Sequence, residues 1–337
     1  MGRAYALLRA GFPYVKTLGM RRITSNPVMV AVGRDGRIYV LGRGDIGVDI
    51  RRTSIEDEDF GTIGGAGRDD GKFIWPASLV MDGDGNLVIC DEALDRVTTI
   101  TTDGAFVSKW GEHGDGDGQL NRPSGMALDR EGNVYIADTL NHRIQKFTRD
   151  GRFLLTWGTP GSGEGELNMP WGVAVDDDGA VYVADWRNDR VQKFTGDGRF
   201  VFSIGATGSD NGHFHRPSGV AVDGDGDIYV ADPGNNRIQL FGPDGRYVEQ
   251  FIGDATLSRC ARDYLLPNAK PLRLREMAWL EPQKRFKAPV SCTVDAEGRL
   301  YVPDYGCHRV QIYQKEAYRL EPEQVIPPLR SPTLMTT

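Results

Sequence analysis

The side chains best suited to proton transfer or metal binding near neutral pH are five histidines, His113, His142, His213, His215 and His308. All five fall in segments that read as loops. With a general base in mind, His142, His215 and His308, joined by Tyr305 and Glu92, form the candidate catalytic set. No motif specifies a nucleophile with its base, and no metal-ligand set is complete. Cys90, Cys260, Cys292 and Cys307 are widely spaced, without a CxxC pair, and read as reduced thiols. The sequence calls for no cofactor and leaves a divalent metal on the histidines as the minor alternative.

A second group of residues suits binding. Trp75, Trp171, Trp186 and Tyr305, with Arg122 and Arg216, flank recurring motifs but differ from one occurrence of the motif to the next. A single ligand breaks symmetry, so its contacts should break it too. Rings and guanidinium groups gathered there would take an anionic or aromatic small molecule. The competing reading is that they pack loop against loop. By contrast, Asp91, Asp138, Asp185, Asp232 and Asp304, followed by Arg96, Arg143, Arg190, Arg237 and Arg309, recur at matching places. Repetition argues that each unit needs them for itself, the carboxylate capping loop amides and the guanidinium pairing with a neighbouring loop. The alternating carboxylates of "DGDGD", residues 223–227, and of the stretch from Asp115 suggest a calcium loop. They lack the glycine at its sixth position and the glutamate at its twelfth, which here are Ile228 and Gly234, or Leu120 and Met126. Both read as turns.

These residues are carried by a repeat. Prolines 27, 76, 123, 170, 217 and 289 open six units, separated by steps of 49, 47, 47, 47 and 72 residues. Each unit holds four strand-like runs, as in "SGMALD", "NVYIAD", "RIQKFT" and "FLLTWG", with Asp-Gly breaks that supply the positive φ of tight hairpins. Four antiparallel strands per unit make a propeller blade, and six blades make an all-β ring without open edges. The sixth unit lacks its fourth run, whereas "PYVKTLG" at residues 13–19 matches one. Residues Tyr14 to Leu18 are therefore expected to complete blade 6 and close the ring.

The recurring P-x-G-[VM]-A-[VL]-D, [NDA]-[IV]-Y-[IV]-A-D and N-x-R-[IV]-Q motifs resemble those of the NHL-repeat β-propellers over roughly residues 13–316. They are weakest in the first unit, where "LGRGDIGVDIRR" replaces the Asp and Asn-x-R segment. The resemblance extends to peptidyl-hydroxyglycine amidating lyases, whose zinc histidines directly follow the opening proline. The matching positions here are Val28, Ala77, Ser124, Trp171, Ser218 and Val290, none of which replaces an imidazole.

The long step contains an insertion, residues 254–287, with eight Lys or Arg against four Asp or Glu. Two short helices are expected, over Leu257 to Leu266 and Leu272 to Leu280, as a lid over the channel mouth or as a patch on one inter-blade groove. Residues 317–337 carry four prolines and read as an extended tail without strand pattern. The chain of 337 residues is 39% hydrophobic and bears a formal charge of −7. That acidity argues against nucleic acid, and no run is long and apolar enough for a membrane span. The start lacks a secretory signal pattern, so a cytoplasmic location is expected. Nothing sets an oligomeric state. The leading expectation is a propeller that binds a small molecule or a peptide or protein on its loop face; the alternative is a lyase or hydrolase, such as a lactonase, at the channel mouth.

Overall fold

The computed structural model describes residues 6–20, 24–44, 47–276 and 279–320. Six four-stranded antiparallel sheets follow one another around a central channel. Blades 1 to 5 lie within residues 27–63, 76–110, 123–157, 170–204 and 219–251. Blade 6 is composite: Thr293–Val294, Arg299–Asp304 and Arg309–Gln314 are completed by Tyr14–Leu18, paired antiparallel to the third strand with Thr17 opposite Gln311. The ring closes on its N-terminal strand as the repeat count requires.

Within a blade, the second strand is buried on both faces, as in Val134–Asp138 and Val181–Asp185, which explains its unbroken apolar run. The fourth strand, at the outer edge, exposes Val107, Leu154 and Val201. Between blades, each long loop drops one apolar side chain into the core: Phe73, Leu120, Leu167 and Phe214 are fully buried. Phe286 takes this place between blades 5 and 6, its N–H donating to Ile252 O at 3.0 Å. The insertion is thus looped out between two points of a connection that keeps its plug, which is why a long excursion costs little.

The insertion forms α1 (Arg259–Leu265), α2 (Ala269–Glu276) and α3 (Glu281–Lys284). The Ser258 hydroxyl caps α1 by accepting the Ala261 N–H. The first expected helix is recovered, one turn shorter. The second ends earlier and starts earlier, with Pro271 within its first turn where a missing N–H costs nothing; its expected span includes residues 277 and 278, which lie outside the described residues. The insertion is not placed as a lid. It leans over the outer rim from blade 6 to blade 1, where the Cys260 N–H donates to Asp57 Oδ2 at 2.8 Å and Arg259 faces Glu58 at 3.6 Å. None of its described residues lines the central cavity.

The tail also differs from expectation. Glu316–Leu320 is a strand, paired with Ala6–Gly11 in a two-stranded ribbon. Its alternation was hidden by charge: Lys315 lies against Asp223, Asp225 and Asp227 at 2.6, 2.9 and 2.9 Å, Arg319 against Asp225, and Arg9 against Asp227. The "DGDGD" turn of blade 5 is thus a socket for protein cations. Residues 321–337 lie outside the described residues.

Candidate functional site at the channel mouth

The loops joining second to third strands share one face with those joining consecutive blades. In blades 3 to 6 the former are single 3-10 turns, Thr139–Asn141, Trp186–Asn188, Pro233–Asn235 and Tyr305–Cys307. The Asp before each turn is fully buried and bonded throughout. Asp185 accepts the Asn168 N–H (2.7 Å), Asn188 Nδ2 (2.8 Å) and Arg190 Nε (2.9 Å), Asp138 and Asp232 repeat the set, and Asp304 keeps the backbone and arginine bonds with Cys307 in place of the asparagine. Burial pushes the Asp138, Asp185 and Asp304 carboxyls upward against these bonds. In blade 2 Asp91 binds four backbone N–H groups while Arg96 reaches carbonyls of the preceding loop. The repeated Asp and Arg hold loops to blades.

The residue closing each turn lies in the left-handed region: Asp95, His142, Asp189, Asn236 and His308 have φ between 47° and 55°. Its side chain accepts the N–H of the residue before the next blade's opening proline. Asp95 takes Arg122 N (2.7 Å), Asp189 takes Arg216 N (2.7 Å) and Asn236 takes Ala288 N (2.8 Å). His142 Nδ1 takes Met169 N (3.2 Å) and His308 Nδ1 takes Asn26 N (3.1 Å). Those two imidazoles are blade connectors, and an accepting Nδ1 places the ring proton on Nε2. His215 is exposed beside Gly234, with its backbone bound to Asp232. The candidate histidines are not brought together, and among the described residues no group of three His, Cys, Asp or Glu could hold a metal.

The residue after the buried Asp is where symmetry breaks. Around the mouth these positions read Glu92, Thr139, Trp186, Pro233 and Tyr305, and the first blade adds Arg43. Here Gly42 stands where the others have Asp, and the strands Ile38–Gly44 and Gly47–Thr53 continue pairing beyond it, with Arg43 opposite Val48. Reading the repeat through its missing Asp would have placed Arg43 in the ring, so its omission from the sequence candidates reflects the broken motif.

Arg43 lines a cavity of about 190 Å³ at the top of the channel, together with Trp171, Trp186 and Pro233 and with Val28, Ala77, Ser218 and Val290, which follow the opening prolines or stand in for the lyase histidines. Its side chain is 15% exposed and lies over the Trp75 ring at 4.4 Å. It meets Glu92 Oε2 only at 3.8 Å and Pro76 O at 3.4 Å, and its Nε is buried without a partner. Burial lowers the Arg43 pKa, which the charge of Glu92 partly offsets. The other oxygen of Glu92 is bound by Arg122 at 2.7 Å. Tyr305 packs against the apolar cluster beneath blade 1.

On the opposite side, in blade 4, the Trp171 and Trp186 rings meet at 5.8 Å with a tilt of 38°, and Arg216 covers Trp186 at 4.9 Å. The sequence candidates thus fall into two groups: Trp75, Glu92, Arg122 and Tyr305 around Arg43, and Trp171, Trp186 and Arg216 across the mouth. One wall is charged and the other aromatic.

Fold and mouth together define a six-bladed β-propeller with an asymmetric loop face. The profile of the NHL repeat matches residues 120–147, 167–194 and 214–241, so that blades 3 to 5 of this propeller carry NHL repeats. A search of curated proteins finds no match. Among solved structures, a catalytically inactive virginiamycin B lyase from Staphylococcus aureus with quinupristin is 15% identical, covering 90% of this chain and 88% of that one with a TM-score of 0.56. A streptogramin B lyase is 13% identical, with coverages of 90% and 98% and a TM-score of 0.58. A protein of unknown function from Bacteroides thetaiotaomicron is 18% identical, with coverages of 91% and 73% and a TM-score of 0.60. At such identities the likeness concerns the fold alone. No helix among the described residues is long and apolar enough to cross a membrane.

Proposed function

We propose that the channel mouth binds a small molecule or peptide group that is anionic at one end and aromatic or apolar at the other. The observation that carries this reading is Arg43, a largely buried guanidinium that lines the cavity and has no carboxylate within hydrogen-bonding distance. A buried cation so poorly compensated is costly unless an anion completes it, and a guanidinium offers a fork for carboxylate or phosphate. Trp171 and Trp186 across the cavity supply a face for the rest of the ligand.

A lyase or hydrolase at the same mouth is the second reading, favoured by the streptogramin B lyase fold of the structural neighbours. Its acid and base would come from Glu92, whose Oε2 is buried without a partner, and Tyr305, since His142 and His308 are committed to loops. Binding ranks first because it uses Arg43 and both tryptophans and needs no further group.

The test is a panel of aromatic carboxylates and phosphates titrated against tryptophan fluorescence. A member that binds the wild type should bind Arg43→Gln more weakly by about tenfold to a hundredfold, the loss of one charge-assisted bond. Arg43→Lys should fall between, with all three proteins melting alike. A ligand bound equally by Arg43→Gln would end the proposal. Mass spectrometry of the bound panel members would show any bond cleavage that the second reading requires.

A further inference from the structure

Beyond the mouth, the insertion builds a second cavity on the outer rim, between its own helices and the latched edge of blade 6. It measures about 480 Å³, within the range of small-molecule sites. Among the described residues, four cationic side chains line it, Arg262 of α1, Arg275 of α2, Lys284 of α3 and Arg309 of blade 6, and no carboxylate does. On a chain of net charge −7 this concentration of positive charge is specific to the segment that breaks the repeat.

The four cations differ in how they are used. Arg309 is fully employed, on Asp304 at 2.8 Å and on the carbonyls of Gln283 and Arg285 at 2.8 and 2.9 Å. Lys284 pairs with exposed Glu281 at 2.5 Å. Arg262 and Arg275 make no ion pair or side-chain hydrogen bond with any described residue. Two of the insertion's carboxylates are spent elsewhere: Asp263 faces Arg259, and Asp254 faces Arg285. Asp57, the buried carboxylate of blade 1 at this corner, is occupied by the backbone N–H groups of Gly19 and Cys260, each at 2.8 Å. Cations gathered in a concave, partly desolvated site repel one another unless an anion is present. Two uncommitted guanidinium forks facing one space fit the tetrahedral oxygens of phosphate. Met20, Leu257 and Leu280 give the same cavity an apolar wall.

We infer that this rim cavity is a binding site for a phosphorylated small molecule, with Arg262 and Arg275 holding the phosphate and Lys284 adding to the field. The site is independent of the channel mouth and couples ligand to latch, since Thr17 and Gly19 belong to or directly follow the strand that closes the ring.

Calorimetric titration with inorganic pyrophosphate at low ionic strength tests it. The wild type should show saturable binding that weakens with salt. Arg262→Gln and Arg275→Gln, melting like the wild type, should each lose about tenfold or more in affinity. Arg246→Gln, at an exposed arginine that lines neither cavity, should bind pyrophosphate normally, and citrate should bind the wild type more weakly. No saturable binding, or unchanged affinity in both rim variants, would overturn the inference. Equal citrate affinity would overturn the assignment to phosphate. Loss in Arg43→Gln alone would sink this site while leaving the mouth proposal standing.

Discussion

His142 and His308 sit in a register that Asp95, Asp189 and Asn236 also occupy, and all five accept one backbone N–H from the next blade. What that register requires is an acceptor on a residue tolerant of a left-handed backbone, not an imidazole. His142→Asn should therefore keep stability and ligand binding, whereas His142→Ala should cost about 1–3 kcal/mol for the N–H left unbonded; thermal melts separate the two. A loss of function in the stable Asn variant would restore His142 to the catalytic candidates. The reason these histidines looked like chemistry is physical: loops that share a face concentrate polar residues whatever their purpose. Their connector role was legible in principle from the exchange of Asp, Asn and His at one position. Arg43 was the opposite case. Its loop has lost the Asp that marks the register, so a reading anchored on that Asp stepped over the most distinctive cation in the mouth.

The ribbon of Ala6–Gly11 and Glu316–Leu320 supplies a charge that its blade lacks. In blades 3 and 4 a lysine of the third strand, Lys146 or Lys193, meets the turn carboxylates Asp129 or Asp176. In blade 5 that position is Leu240, and Lys315 arrives from the ribbon to take the lysine's place. Two nearly buried carboxylates, Asp223 and Asp227, and the partly exposed Asp225 depend on it, so Lys315→Met should destabilise the protein by about 3–5 kcal/mol, measured by denaturant unfolding. An unchanged midpoint would mean that Arg9 and Arg319 suffice. Although burial alone would raise it, the bonds from Lys315 and Arg319 hold Asp225 below the usual carboxylate range, and the carboxylates hold Lys315 above its ordinary value. The contribution of Asp225 is therefore present above about pH 4 and lost as acid protonates it, and that of Lys315 is present below about pH 10 and lost in alkali. The sequence showed a turn here. It could not show the cation, because Lys315 lies about 90 residues from its partners.

The architecture of the whole ring was legible because six similar units admit few arrangements, and an unmatched strand at each end admits one closure. What the repeat could not convey was how its exceptions fold. The 254–287 insertion has composition but no period, and its rim placement depends on Asp57, a turn residue of blade 1 that is 203 residues from Cys260 in sequence. Removing residues 1–19 takes away the strand paired to Arg309–Gln314 and exposes that edge. The truncated chain should aggregate or lose much of its thermal stability; a normal melt would refute the latch. The latch also sets a timetable. The strand that closes the ring is synthesised long before its partner, which is centred on Gln311. At the roughly 5–20 residues per second of synthesis, Tyr14–Leu18 waits at least about 15 seconds for the edge it will cover. Through that interval blades 1 to 5 can assemble as an open arc with two unpaired flanks. Closure has to wait for that last strand pair, and the nascent arc is the form of this protein most in need of a chaperone.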